Sequence, residues 1–206
     1  MADEKKATRT KTGSCLLATG LVLAALFVAD RVVFFLRDGS GSLCNGSSAT
    51  VPVAETSLVS FDVANPCFAS GIRLRKGNVY RFQVRDDLWH DGGQEANADG
   101  LRQVPPQLVV AGPSRRHVFH PWMKMMGRVG ETAMETFAIG SGMAAYKAKT
   151  DGELFLYVND AVIGLAPGRH WAQPYHWSWG RNKGTAHVTV SLVHRVDGVP
   201  YQPDAS

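Results

Sequence analysis

The chain has 206 residues, with 22 Lys and Arg against 18 Asp and Glu, for a formal charge of +4. That length sets one domain, or one domain with an appendage, and 45% hydrophobic content allows a real core and excludes wholesale disorder. Six of the Lys and Arg and three of the acids lie in residues 1–37, leaving 16 and 15 for the rest, so the basic balance belongs to the amino-terminal segment and gives no argument for a nucleic-acid partner.

The first 14 residues are polar and carry Lys5, Lys6, Arg9 and Lys11. An apolar run follows over 15–36, interrupted by Asp30-Arg31. Its 22 positions make roughly 33 Å of helix at ~1.5 Å per residue, enough to span a bilayer. The run exceeds the apolar stretch of a cleaved signal peptide, and no small-x-small site follows it. The reading is an uncleaved signal anchor. The positive residues before it predict a cytoplasmic amino terminus and a periplasmic remainder, in a single-pass protein of a bacterial inner membrane. Asp30 and Arg31 mark either the membrane boundary or a polar contact with a partner helix.

Residues 37–50 are Gly/Ser-rich and read as a flexible linker. Cys44 and Cys67 fall in the exported part, 23 residues apart. In an oxidising compartment they would pair, closing a loop that stabilises the domain by roughly 3 kcal/mol; two separate thiols are the alternative. The exported domain is placed at 51–195 and a flexible tail at 196–206.

Within 51–195 the hydrophobic period is two. In Val79-Tyr80-Arg81-Phe82-Gln83-Val84-Arg85, Tyr80, Phe82 and Val84 share one face. Leu154, Leu156 and Val158 alternate with Phe155, Tyr157 and Asn159, and Ala186, Val188, Val190 and Leu192 alternate with His187, Thr189 and Ser191. Short apolar runs at 72–74, 107–111 and 135–139 read as further strands. Seven or eight half-buried strands separated by turn residues predict an antiparallel β-sandwich behind one transmembrane helix. Only 122–126 looks helical.

Four stretches carry a family likeness. They are Ser70-Gly71-Ile72-Arg73-Leu74 running on to Phe82; the loop Asn97-Ala98-Asp99-Gly100; Met126-Gly127-Arg128-Val129 with Phe137-Ala138-Ile139-Gly140; and Gly152 through Asn159-Asp160, with Gly180-Arg181-Asn182-Lys183-Gly184 before the last strand. Together they span about residues 52–193, and this region resembles the PA-I family of calcium-dependent galactophilic lectins. The resemblance implies a galactose-binding-like jelly roll. In that family an Asp after the strand and two adjacent Asn bind calcium, which ligates sugar hydroxyls. Asp160 stands at the acid position and Asn182 at the second amide. Arg181 stands at the first, removing an oxygen and adding a cation, so calcium, which takes six to eight oxygens, is doubtful here. An Arg181–Asp160 ion pair would take its place. Asp99 keeps the acid of the family's sugar-contacting loop, without its His and Pro.

Three further features bear on function. Asp160 reads as either a turn-capping residue or a ligand for a cation or sugar. The loop 168–180 holds Trp171, Trp177 and Trp179, which serve as a lid on their own domain, as a protein contact or as a stacking wall for sugar rings. His117 and His120, three apart, lack a third ligand for zinc, and the adjacent acids Asp86 and Asp87 would face opposite ways on a strand. No catalytic motif is present. The expectation is a non-catalytic binding domain holding an envelope glycan at Asp160, Asn182, Asp99 and Arg181. The alternative is an accessory subunit that meets a membrane-protein partner through the aromatic loop and the helix.

Overall fold

The computed structural model describes residues 2–53, 55–165 and 182–196. It opens with a single helix, α1 (Ala2–Gly39). The part Leu16–Gly39 is long and apolar enough to cross a membrane. Residues 16–29 are exposed on every side of the helix.

The rest is an antiparallel β-sandwich, the class expected from the periodicity. One sheet runs β1 (Val51–Pro52), β3 (Phe68–Leu74), β11 (Gly152–Val158), β8 (Met125–Val129) and β9 (Thr136–Ala138), with β1 pairing parallel to β3. The facing sheet runs β10 (Gly142–Lys147), β4 (Val79–Val84), β13 (Thr185–His194) and β2 (Thr56–Asp62). A small sheet of β12 (Asn182–Lys183), β5 (Trp89–Asp91), β6 (Gln94–Asn97) and β7 (Gly100–Leu101) closes one end. The core lies between the large sheets, with Phe61, Leu74, Phe82, Leu154, Leu156, Val188 and Val190 buried in one cluster. Alternation puts these residues inward and Arg81, Gln83 and Thr189 outward.

Two expected elements differ. The run at 107–111 is not a strand: α2 (Pro106–Val110) is one short helix, begun by Pro106, whose fixed φ suits a first turn. The helical reading of 122–126 is also wrong. Trp122 and Met123 cover the core in irregular backbone, and Met125 begins β8. Nor is β11 half-buried: every residue from Glu153 to Val158 is buried. Its second face, Phe155 and Tyr157, packs with Met126 and the Cys44–Cys67 disulfide.

That second face is covered by the end of α1 and the segment after it. Asp30 and Arg31 find their partners inside the chain rather than on another helix. Arg31 bonds Asp30 at 2.5 Å and donates to the carbonyls of Ser114, at 3.2 Å, and Val162, while Asp30 accepts from the Leu165 amide at 3.0 Å. A side chain on Gly164 would strike the α1 backbone at Asp30 and Phe34, so only glycine permits this approach. One further turn on, Phe34 is buried beside Val162. One turn beyond that, Asp38 meets Arg116 at 3.0 Å and Arg128 at 2.7 Å, all three side chains at most 5% exposed. The Tyr157 ring lies under the Arg116 guanidinium, 3.8 Å away. The Gly/Ser segment is therefore fastened, not free. Cys44 and Cys67 are joined, with Cα atoms 5.2 Å apart, Gly46 donates to Glu131 at 3.1 Å, and Ser47 bonds Glu153 at 2.6 and 2.7 Å. Its Gly and Ser content serves tight turns and side-chain caps.

Candidate functional site

At the exit of β11 the sequence Val158-Asn159-Asp160 turns two side chains to different tasks. Asn159 is fully buried. Its Nδ2 donates to the carbonyls of His117, His120 and Pro121, each at 3.0 Å, and its Oδ1 accepts from the His117 amide at 2.9 Å. Both backbone bonds of Asn159 go to the same loop, to Lys124 at 2.9 Å and Met123 at 2.7 Å. One amide thus fixes the loop 117–124, including Met123, which holds a positive φ of 62°.

Asp160 faces the end sheet. Its Oδ2 accepts from Asn182 Nδ2 at 2.8 Å and its Oδ1 from the Ala161 amide at 2.6 Å. Strand pairing sets Asn182 opposite Asp91, and cross-strand partners share a face. A second carboxylate therefore stands beside the first. Burial pushes the Asp160 carboxyl up, against the lowering effect of its two hydrogen bonds. Burial, and then the charge of Asp160, raises Asp91 to about 6. Asn182 Oδ1 is buried and accepts no hydrogen bond among the described residues, and Arg116 Nε is buried and donates none. Both residues, with Asp160, Val63, Pro66 and Val162, line a cavity of about 20 Å³, room for one water-sized group.

Of the residues expected at the site, Asp160 and Asn182 are brought together. Asp99 is not in this corner. It lies at the β6–β7 turn, more than half exposed, accepting from the Ser141 amide at 3.1 Å with Lys124 Nζ 3.9 Å away. Arg181, Trp171, Trp177 and Trp179 lie outside the described residues, so neither the Arg181–Asp160 pair nor the stacking wall is placed. Asp91 was missed by the sequence reading. The Asp91-Gly92 turn signal marks it as a strand end, but nothing local links it to a residue 91 positions later.

Calcium does not fit this corner as described. Two carboxylates and one amide oxygen fall short of six to eight oxygens, both Asp160 oxygens already accept hydrogen bonds, and the Arg116 guanidinium lines the same cavity. No group of three or more His, Cys, Asp or Glu fit to hold a metal occurs among the described residues. His117 is instead a structural partner of Tyr157, bonded at 2.8 Å. Burial first, then the nearby Arg116 charge, pushes its imidazole down to about 3 and keeps it neutral. His187 does not stand alone on the outer face either: Nδ1 meets Asp87 at 2.6 Å, and Arg85 binds the same carboxylate at 2.7 Å.

No protein-family model matches the chain, and no curated protein matches it. Among solved structures, the chain is similar to one described as "EclA N-terminal domain; PllA-like lectin", at 17% identity and a TM-score of 0.41, over 68% of this chain and 97% of that one.

Proposed function

We propose that this chain is a single-pass membrane protein whose β-sandwich binds a hydroxyl-rich ligand, a carbohydrate of the cell envelope, at the Asp91–Asp160–Asn182 corner without transforming it. The observation that carries this reading is that Asn182 and Arg116, each with a buried polar atom that has no partner among the described residues, both line one cavity of about 20 Å³. A hydroxyl group is both donor and acceptor and is small enough to enter. The ring that bears it stays outside the cavity, where Asp91 accepts from a neighbouring hydroxyl, while Asp160 holds the Asn182 amide in place. The positive residues ahead of the apolar part of α1, Leu16–Gly39, favour an amino terminus in the cytoplasm and a sandwich in the periplasm. An accessory subunit is the weaker reading, because the charges that would have met a partner helix are spent on Ser114, Val162 and Leu165 of the same chain.

The test is calorimetric titration of saccharides into the full chain in lipid nanodiscs, with calcium and with a chelator. Binding that survives the chelator and is lost in Asn182→Ala and in Asp160→Asn is the expected result. Absence of saccharide binding in both conditions, or binding indifferent to both substitutions, rejects the reading.

A further inference from the structure

The membrane-facing end of the sandwich is marked by where α1 first touches it. Residues 16–29 are all exposed, and Asp30 is the first buried residue among those described from 16 onward. Those 14 exposed positions cover about 21 Å at ~1.5 Å per residue, short of a hydrocarbon core of about 30 Å. Counting from Lys11 instead, the 18 positions 12–29 cover about 27 Å. On either count the bilayer boundary falls at or beyond Asp30-Arg31. The groups that Asp30 and Arg31 bind, at Ser114, Val162 and Leu165, therefore lie at that boundary.

The same end carries apolar side chains in the open. Val109 is 64% exposed and Val110 84%, on the short helix that leads to Ser114. Phe119 is 96% exposed, and Ile163 and Leu165 flank the glycine that lies on α1. Phe119 is not there for want of order. Arg115 forks onto the carbonyls of Gly112, Val118 and His120 at 2.7–3.0 Å, and Asn159 ties down the carbonyls of His117, His120 and Pro121. A clamped loop that holds an aromatic outward beside other exposed apolar side chains marks an interaction surface.

We infer that residues 106–119, with Ile163 and Leu165, form a second membrane contact, a rim of the sandwich seated in the headgroup and upper acyl layer beside the transmembrane helix. The occupant is lipid, because the segments that carry the patch are bonded to α1 through Ser114, Val162 and Leu165, where the apolar helix meets the sandwich. Interfacial aromatic and aliphatic side chains bind there by burying apolar area. Two contacts, the helix and this rim, fix the tilt and rotation of the domain over the surface. This inference rests on the proposed membrane crossing by α1, not on the saccharide site.

The test uses the full chain in a Cys15→Ser background, reconstituted in vesicles of phosphatidylcholine and phosphatidylglycerol. An environment-sensitive fluorophore is placed in turn through Val110→Cys, Phe119→Cys and, as a control on the outer sheet face, Leu58→Cys. All three positions are exposed, so no buried contact is removed. Alkaline carbonate extraction is run in parallel. The expected result is retention in the pellet, with blue-shifted emission and loss of most of the signal to shallow doxyl-labelled lipid at 110 and 119, and neither effect at 58. Retention with 110 and 119 behaving like 58 overturns the rim and leaves the anchor standing. A blue shift that doxyl lipid does not quench means protein covers the patch, and overturns it too. Release by carbonate removes the anchor and the rim together.

Discussion

Asp38→Ala removes the counter-ion from two buried guanidinium groups. Arg116 and Arg128 side chains are 2% and 0% exposed, and Asp38 binds them at 3.0 and 2.7 Å. Breaking a buried ion pair by deleting one partner costs about 3–5 kcal/mol, because the remaining charge stays desolvated. Here two charges are stranded, so the upper part of that range applies. Against a total stability of roughly 5–15 kcal/mol this is a large fraction, and at about 2–4 °C per kcal/mol it lowers the melting temperature by roughly 10–15 °C. The assay is urea unfolding of the detergent-solubilised full chain followed by tryptophan emission, with thermal melts alongside. Replacing all three residues at once, Asp38→Leu with Arg116→Met and Arg128→Met, should recover most of the loss, since apolar groups of similar volume do as well as a buried triad. A change below about 1 kcal/mol in Asp38→Ala, or a triple variant no better than the single one, would refute the account.

Asp91→Asn should change the pH dependence. The folded protein holds the Asp91 proton up to about 6, against 3.8 for an ordinary Asp, so its favourable contribution is complete below about pH 4 and is lost as pH rises through 6. The variant should gain about 1 kcal/mol at pH 7.5, the full shift being discounted for partial exposure, and melting curves of the two should converge at pH 4. Asn159→Ala takes one donor from three carbonyls that each keep another and removes the acceptor of the His117 amide, and should cost about 1–3 kcal/mol. Asn159→Asp, which aims a carboxylate at the same carbonyls, should be worse, and proteolysis within 117–124 reports both. Cys67→Ala should lower stability by roughly 3 kcal/mol for a loop of this length, measured by the same urea titration.

What the sequence disclosed follows from how local each signal is. β4 and β13 show their period because one face is wet. β8 hides its strand character because Met125 through Val129 are all buried, and nothing in the sequence marks Arg128 as the partner of Asp38. In β11 the alternation of Leu154 with Phe155 was legible, but not that a helix end and a disulfide would dry the second face. Val109-Val110 suggested a strand until Pro106 is given its weight as a helix starter. The Asp160–Asn182 contact was legible only through the family resemblance carried by strand-Asn-Asp and Gly-x-Asn-x-Gly. Asp91 was not, because its place depends on pairing between β5 and β12, which no local pattern encodes.

The fastening of Asp38 and Cys44 has a practical corollary. A soluble fragment trimmed by hydropathy, beginning at residue 51, would discard the carboxylate that neutralises two interior arginines and one half of the cystine. Such a fragment is an injured protein, and failure of it to recognise a sugar would say nothing about the intact one. The last turns of α1 are interior furniture of the sandwich, and the smallest faithful unit starts before Asp30.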